Sequence, residues 1–212
     1  MSSWPGPSGW HGPPRYSQPA VYSPPGWLSP SDPYHAVGSQ LTSHPTSAKY
    51  PKLNPILAED TTLLHFDLKK QPISAILPPT FFTYRAQFAL GTPTTHMRLV
   101  SKVFPWQIDI VSPTNVTCED VWNSLWGAMQ QPIEDSEWGF LIMDKNSRET
   151  VDAAMKKRLE ADPMADKRPK RIDYLGNMTL FRGLERDDEY AKLRQLPYSR
   201  NCEETWVVRL FS

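Results

Sequence analysis

In the stretch "NVTCEDVW", Cys118 occupies the position in the chain where a side chain could most readily become reactive. It follows Thr117 at the start of an amphipathic run. A thiol in the first turn of a helix is pulled toward thiolate by unpaired backbone N–H groups and by the helix dipole. A nucleophile of this kind also needs a base, and from residue 53 onward the only histidines are His65 and His96. His65 sits mid-strand on a polar face, and nothing in the spacing brings either histidine to Cys118. The competing reading of Cys118 is a buried structural thiol, and that is the one expected.

Metal and cofactor chemistry has less to stand on. Cys118, Cys202, His65 and His96 lie far apart, and there is no C-x-x-C, H-x-x-x-H or acidic calcium loop. The phosphate-cradling patterns G-x-G-x-x-G and G-K-[ST] are also missing. No cofactor or metal is expected.

Charge is concentrated in one place. Lys156-Lys157-Arg158 and Lys167-Arg168-Pro169-Lys170-Arg171 give a basic surplus of four over residues 156–171. Lys156, Lys157, Lys167, Arg168, Lys170 and Arg171 would be the phosphate contacts of a nucleic-acid binder, with Tyr174 nearby for stacking. The plainer reading is a solvated helix end and loop, balanced by the acidic runs at 134–137 and 187–189. The chain as a whole carries 23 basic and 23 acidic residues, so its net charge favours neither nucleic acid nor an anionic membrane.

The first 50 residues hold 10 of the 22 prolines and 5 of the 10 glycines, with only Arg15, Asp32 and Lys49 charged. Proline removes backbone donors, and few aliphatic side chains are present to offset the entropy of ordering. Residues 1–50 therefore read as a disordered Pro/Gly/Ser/aromatic-rich arm. Trp4, Trp10, Tyr16, Tyr22, Trp27 and Tyr34 are spaced along it, as suits either weak multivalent contacts or a plain spacer. Pro13, Pro14, Arg15 and Tyr16 match the PPxY pattern read by WW domains. Ser23-Pro24 and Ser29-Pro30 offer proline-directed phosphorylation sites.

These residues must be positioned by a domain running from 53 to 212. "TLLHFDL" alternates, with Leu64, Phe66 and Leu68 on one face. Residues 71–93 read mostly as loop, with a short strand possible at "YRAQFAL". "HMRLVSKVFPWQIDIV" reads as two strands around Phe104-Pro105, with Trp106, Ile108 and Ile110 on one side. Thr117 and Asp120 form a capping box, with Val116 and Val121 at the staple positions, opening a helix to Gln130. Trp122, Trp126 and Trp106 are expected to hold that helix on the strands, one of the indoles being free to form a rim. A second helix is expected from Asn146, capped with Glu149, to Pro163, burying Val151, Ala154, Met155 and Leu159. "RIDYLGNMTLF" reads as a hairpin around Gly176-Asn177, braced by Arg171 and Asp173 on one strand face. "ETWVVRLF" closes the chain as a strand with Trp206, Val208 and Leu210 facing one way. The class is α+β: a small mixed or antiparallel sheet packed against two main helices.

The landmarks "LLHFDL", "PTTHMRLV", "FPWQIDI", "VTCEDVWNSLW" with "QPI", "RIDYL" and "FRGL", in that order, resemble a fungal domain-of-unknown-function family abundant in mushroom-forming fungi. The resemblance runs from about Pro55 to Leu210 and excludes the arm. It implies a proline-rich leader followed by one such domain, and it implies no activity, cofactor or site. Pro105-Trp106 and Asp120-Val121 match the family pattern. Cys118 departs from it, since members carry a small apolar residue there, which speaks against a family-wide thiol mechanism.

Two cysteines are too few for a disulfide framework. The start "MSSWPGPSGWHG" does not read as a secretory signal, and no stretch is apolar enough to span a membrane. An intracellular location, cytoplasmic or nuclear, is expected. The leading functional reading is a non-enzymatic protein-interaction module whose arm recruits partners, WW-domain proteins among them. Nucleic-acid binding through 156–171 comes second, and a small enzyme using Cys118 third.

Overall fold

Segments expected to be strands supply one five-stranded sheet, although only Phe66–Asp67 of "TLLHFDL" pairs. The computed structural model describes residues 46–141, 143–195 and 202–212. In chain order its elements are β1 (Phe66–Asp67), α1 (Pro72–Ala75), α2 (Pro78–Tyr84), β2 (His96–Ser101), β3 (Ile108–Val111), α3 (Cys118–Gln130), α4 (Asp135–Leu141), α5 (Lys145–Ala161), α6 (Arg171–Tyr174), β4 (Leu180–Glu185), α7 (Asp188–Arg194) and β5 (Thr205–Phe211). The sheet order is β1-β4-β5-β2-β3. All neighbours are antiparallel except β2 and β5, which run parallel. The fold is mixed, α+β.

Register decides which face of each strand is dry. Met97 lies opposite Ile110 and Leu99 opposite Ile108, and all four are buried. Arg98 lies opposite Asp109 on the other face, where its Nε sits 2.7 Å from the carboxylate. β5 departs from the alternating expectation. Trp206, Val208 and Leu210 are buried as anticipated, but Val207 on the opposite face is also fully buried. A central strand covered on its second face as well as its first loses the polar alternation of a half-solvated one.

Helix α3 forms as its sequence signals require. The Thr117 side chain accepts from the Asp120 N–H, and the Asp120 carboxylate accepts from the Thr117 N–H at 2.9 Å. Val116 and Val121 are both buried beside this cap, and the helix stops at Gln130, before Pro132. Trp122 is fully buried, its ring centroid 5.9 Å from that of Phe81. Trp106 is also buried; it stacks on Phe104 at 6.3 Å and meets Tyr174 edge-on at 5.4 Å. Trp126 is only half-buried at the margin of the core, which makes it the rim indole of the three.

Several local expectations are corrected. Residues 171–174 form helix α6 rather than a hairpin arm. Asp173 accepts the Lys170 N–H at 2.9 Å, closing the first turn. Gly176 does take positive φ (+57°), but as the residue that ends this helix, its N–H donating to the Asp173 carbonyl. Arg171 and Asp173 do not brace a hairpin; each reaches a different element, as described below. Residues 71–93 hold the helices α1 and α2, each starting on a proline (Pro72, Pro78). That position suits proline because the N–H it lacks would go unpaired there. Of the expected strand at "YRAQFAL", only isolated bridges at Phe88 and Leu90 form. Helix α5 starts at Lys145 with Asp144 as its cap, and the Asp144 side chain accepts from Asn146 and Ser147. Only Val151 of its expected stripe is fully buried; Ala154, Met155 and Leu159 are half-buried. Finally, Ser47 and Tyr50, assigned by composition to the arm, are buried, and Tyr50 meets Trp206 edge-on at 6.0 Å.

One close approach ties the entry segment to the sheet. Residues 57–59 run beside β4, with Leu184 N–H donating to Leu57 O (2.7 Å) and Glu59 N–H to Leu184 O (3.1 Å). Gly183 sits there at φ +107°, and a Cβ on it would lie 2.7 Å from the Glu59 backbone. Only glycine combines that backbone angle with that contact.

Candidate interaction surface

Helices α1 and α2 are short, and each has a single well-buried anchor, Pro72 in α1 and Phe81 in α2. With Phe81 turned inward onto Trp122, its neighbour Phe82 has to face water. Phe82 is 61% exposed, and Leu63, Ile73, Leu77 and Phe88 around it in sequence are each more than half exposed. Half of the ten large apolar side chains exposed among the described residues thus fall within this one 26-residue stretch.

The backbone beneath them is well fixed. After α2 the chain pairs with the start of α3: Cys118 N–H donates to Gln87 O (2.9 Å), Glu119 N–H to Arg85 O (3.1 Å) and Ala89 N–H to Val116 O (2.9 Å). Asn54 Nδ2 donates to Phe88 O at 3.1 Å. Arg85 lies over both Phe81 and Phe82, its guanidinium 5.5 and 5.9 Å from the ring centres, and it pairs with Glu119 at 3.1 Å. Phe88 and, through Arg85, Phe82 are thus presented on a preorganised segment, which lowers the ordering cost of any contact they make. Lys70, two residues before Pro72, is exposed and carries no ion pair among the described residues.

The same hydrogen bonds work against the thiolate chemistry weighed for Cys118, and the buried structural reading is the one the geometry fits. The N–H groups that would stabilise a thiolate are already donated to Gln87 and Arg85. The side chain is fully buried, its Sγ 4.0 Å from Phe88 O. Burial, and after it the Asp120 carboxylate, pushes the thiol up to about 12. Burial pushes the Cys202 thiol up as well. His96 is placed by Asp109, with Nε2 3.0 Å from Oδ1, while His65 is exposed. Neither histidine hydrogen-bonds Cys118 among the described residues. Within those residues, no group of three or more His, Cys, Asp or Glu is arranged to hold a metal ion. No helix there is long and apolar enough to cross a membrane.

The basic segment is divided between structure and solvent. Arg158 grips the buried Asp173 with two bonds, Nε to Oδ1 at 3.0 Å and Nη2 to Oδ2 at 2.8 Å. Its remaining donors reach the carbonyls of Asp166 (2.7 Å) and Arg168 (3.0 Å). Arg168 doubles back onto Asp166, and the hydrogen bonds from Arg168 hold that carboxyl at about 2. Arg171 reaches Glu137 of α4 at 2.5 Å while lying 5.0 Å over the Trp106 ring. Burial alone would raise the Glu137 carboxyl; the Arg171 guanidinium outweighs it and holds the group below its ordinary 4.5. The guanidinium groups, which would have been the strongest phosphate contacts, therefore bind carboxylates of this domain. Lys156, Lys157 and Lys167 are exposed and Lys170 half-exposed. The Pro13–Tyr16 motif lies outside the described residues.

An α+β domain that exposes several large apolar side chains on and around α1 and α2 is what this geometry defines. Residues 64–191 match the model of DUF6699, described as a family of unknown function, and the chain belongs to that family. No curated protein and no solved structure matches the chain. The family match ends at residue 191, before β5, although β5 occupies the centre of the sheet.

Proposed function

We propose that this protein is a non-enzymatic interaction module and that the α1–α2 surface is where its folded domain meets a protein partner. The observation that carries this reading is the exposure of Leu63, Ile73, Leu77, Phe82 and Phe88 on and around α1 and α2, with the Arg85–Ala89 backbone hydrogen-bonded to the start of α3. Aromatic residues held rigidly at a surface supply large contact area at low entropic cost. The partner would present an apolar ridge, with carboxylates facing Lys70. The arm would contribute a second contact, its Pro13-Pro14-Arg15-Tyr16 element lying on the aromatic groove of a WW domain. Two linked contacts raise avidity beyond either alone.

Photo-crosslinking tests the surface. A benzophenone amino acid is placed at position 82 in the full chain and irradiated in cells, and captured proteins are identified, purified and titrated against wild-type protein. A partner bound in the micromolar range that loses at least tenfold affinity with Leu77→Glu supports the proposal. If the captured proteins bind Leu77→Glu as well as wild type, it is wrong. The arm contact is tested separately by titrating a WW-domain panel against wild type and Tyr16→Ala, where equal binding ends the PPxY idea.

A further inference from the structure

Helix α5 packs on α6 with Ala154, Met155, Arg158 and Leu159 only half-buried. Val151 alone is fully buried on it, and its fixed points are Val151 and the Arg158–Asp173 pair. Along the face toward α6, positions 150, 153, 154 and 161 carry small side chains. Thr150 approaches the turn so closely that a Cβ on Gly176 would meet its Cγ2 at 2.8 Å, while Ala153, Ala154 and Ala161 leave the remainder of the gap open toward Ile172. The result is a cleft of about 590 Å³ between α5, α6 and the turn that follows. That volume falls in the range of small-molecule sites, roughly 300–1,000 Å³.

The charges around this cleft are unevenly matched. Its lining includes Lys69, Lys157 and Arg158 against Asp162 and Asp173. Asp173 is neutralised by Arg158, while Asp162, which accepts the Met164 N–H at 3.1 Å, keeps its charge, so Lys69 and Lys157 leave a surplus of one positive charge. Lys69 and Lys157 carry no hydrogen bond from their ammonium groups and no ion pair among the described residues. An apolar space edged by two uncommitted ammonium groups is complementary to a molecule with an apolar body and one anionic end.

We infer that the α5–α6 cleft binds a small amphipathic carboxylate of the fatty-acid type. The chain lies along Ala153, Ala154, Ala161 and Ile172, and the carboxylate meets Lys69 and Lys157. This site is separate from the α1–α2 surface and does not depend on it.

Dodecanoate is the probe, titrated into the full chain by calorimetry below its micellar concentration. Dodecyltrimethylammonium serves as the cationic control, and vesicles of anionic phospholipid test for membrane-surface binding. Saturable dodecanoate binding is expected, with no binding of the cation. Ala154→Trp fills the cleft and should abolish binding; near-ultraviolet dichroism checks that it folds. Lys157→Glu, at an exposed position, keeps the test decisive if it does not, and should weaken dodecanoate at least tenfold. Equal affinity for anion and cation, an unchanged Kd in Lys157→Glu, or binding to vesicles without binding of free dodecanoate would each overturn the inference.

Discussion

Removing the Arg158 guanidinium separates a structural basic segment from a ligand-binding one. Arg158 makes two bonds to the Asp173 carboxylate and one each to the Asp166 and Arg168 carbonyls. Asp173 is 3% exposed, so Arg158→Ala leaves a buried carboxylate with the Lys170 N–H as its remaining partner. Breaking a fully buried pair costs about 3–5 kcal/mol. The Arg158 side chain retains 19% exposure, which places the expected loss near the lower end, about 3 kcal/mol. Equilibrium urea unfolding at pH 7 measures it, and hydrogen exchange should show faster opening of residues 163–172. Arg158→Lys should recover only part of the loss, since an ammonium cannot fork onto both carboxylate oxygens. Neutralising Lys156 or Lys167 should change stability by no more than about 0.5 kcal/mol. A loss below about 1 kcal/mol in Arg158→Ala, with exchange unchanged, would refute the reasoning, because that is what an exposed surface pair contributes.

Three further outcomes follow from the same geometry. Gly183→Ala should destabilise by about 2–4 kcal/mol in urea, combining positive-φ strain with a clash against the Glu59 backbone; a change under about 0.5 kcal/mol would contradict the close approach. Cys118 should resist a thiol reagent such as iodoacetamide at pH 8 in the native protein and react in denaturant, because its thiol is buried and pushed up to about 12; fast native labelling at Cys118 would restore the nucleophile. Glu137 is held below its ordinary 4.5 when folded, so the stabilisation from its Arg171 pair is complete above that value and is lost as pH falls through the lower folded one. Stability measured between pH 6 and pH 3 should accordingly fall less steeply in Arg171→Gln than in wild type, and identical slopes would remove the pair from the account.

What could be read from the sequence was what neighbouring residues decide. The Thr117–Asp120 cap and the Val116–Val121 staple fix α3 within one turn, and period-two alternation placed β3 and one face of β5. Helix α6 was missed because its one local signal, Asp173 on the Lys170 N–H, is masked by a strand-like pattern. Ile172 and Tyr174 alternate as a strand would, while Asp173 is secured by Arg158, 15 residues earlier in the chain. The proline starts of α1 and α2 were visible signals for helices, but four prolines in 71–93 suggested only a loop. The α1–α2 surface was not legible because hydrophobicity does not say which apolar residues stay outside. Phe81 and Phe82 are the same residue type side by side, and only the packing of Trp122 separates them.

That adjacent pair provides the most direct test of the central claim, that Phe82 and its neighbours are exposed for a partner while Phe81 holds the fold. The measurement is the affinity of a partner captured at position 82 for Phe82→Ala, together with the urea stability of Phe82→Ala and Phe81→Ala. The account predicts that Phe81→Ala costs about 3–5 kcal/mol. It predicts that Phe82→Ala costs no more than about 1 kcal/mol, from its ring and Arg85 contacts, while partner affinity falls at least tenfold. Full partner affinity in a stable Phe82→Ala protein would contradict it.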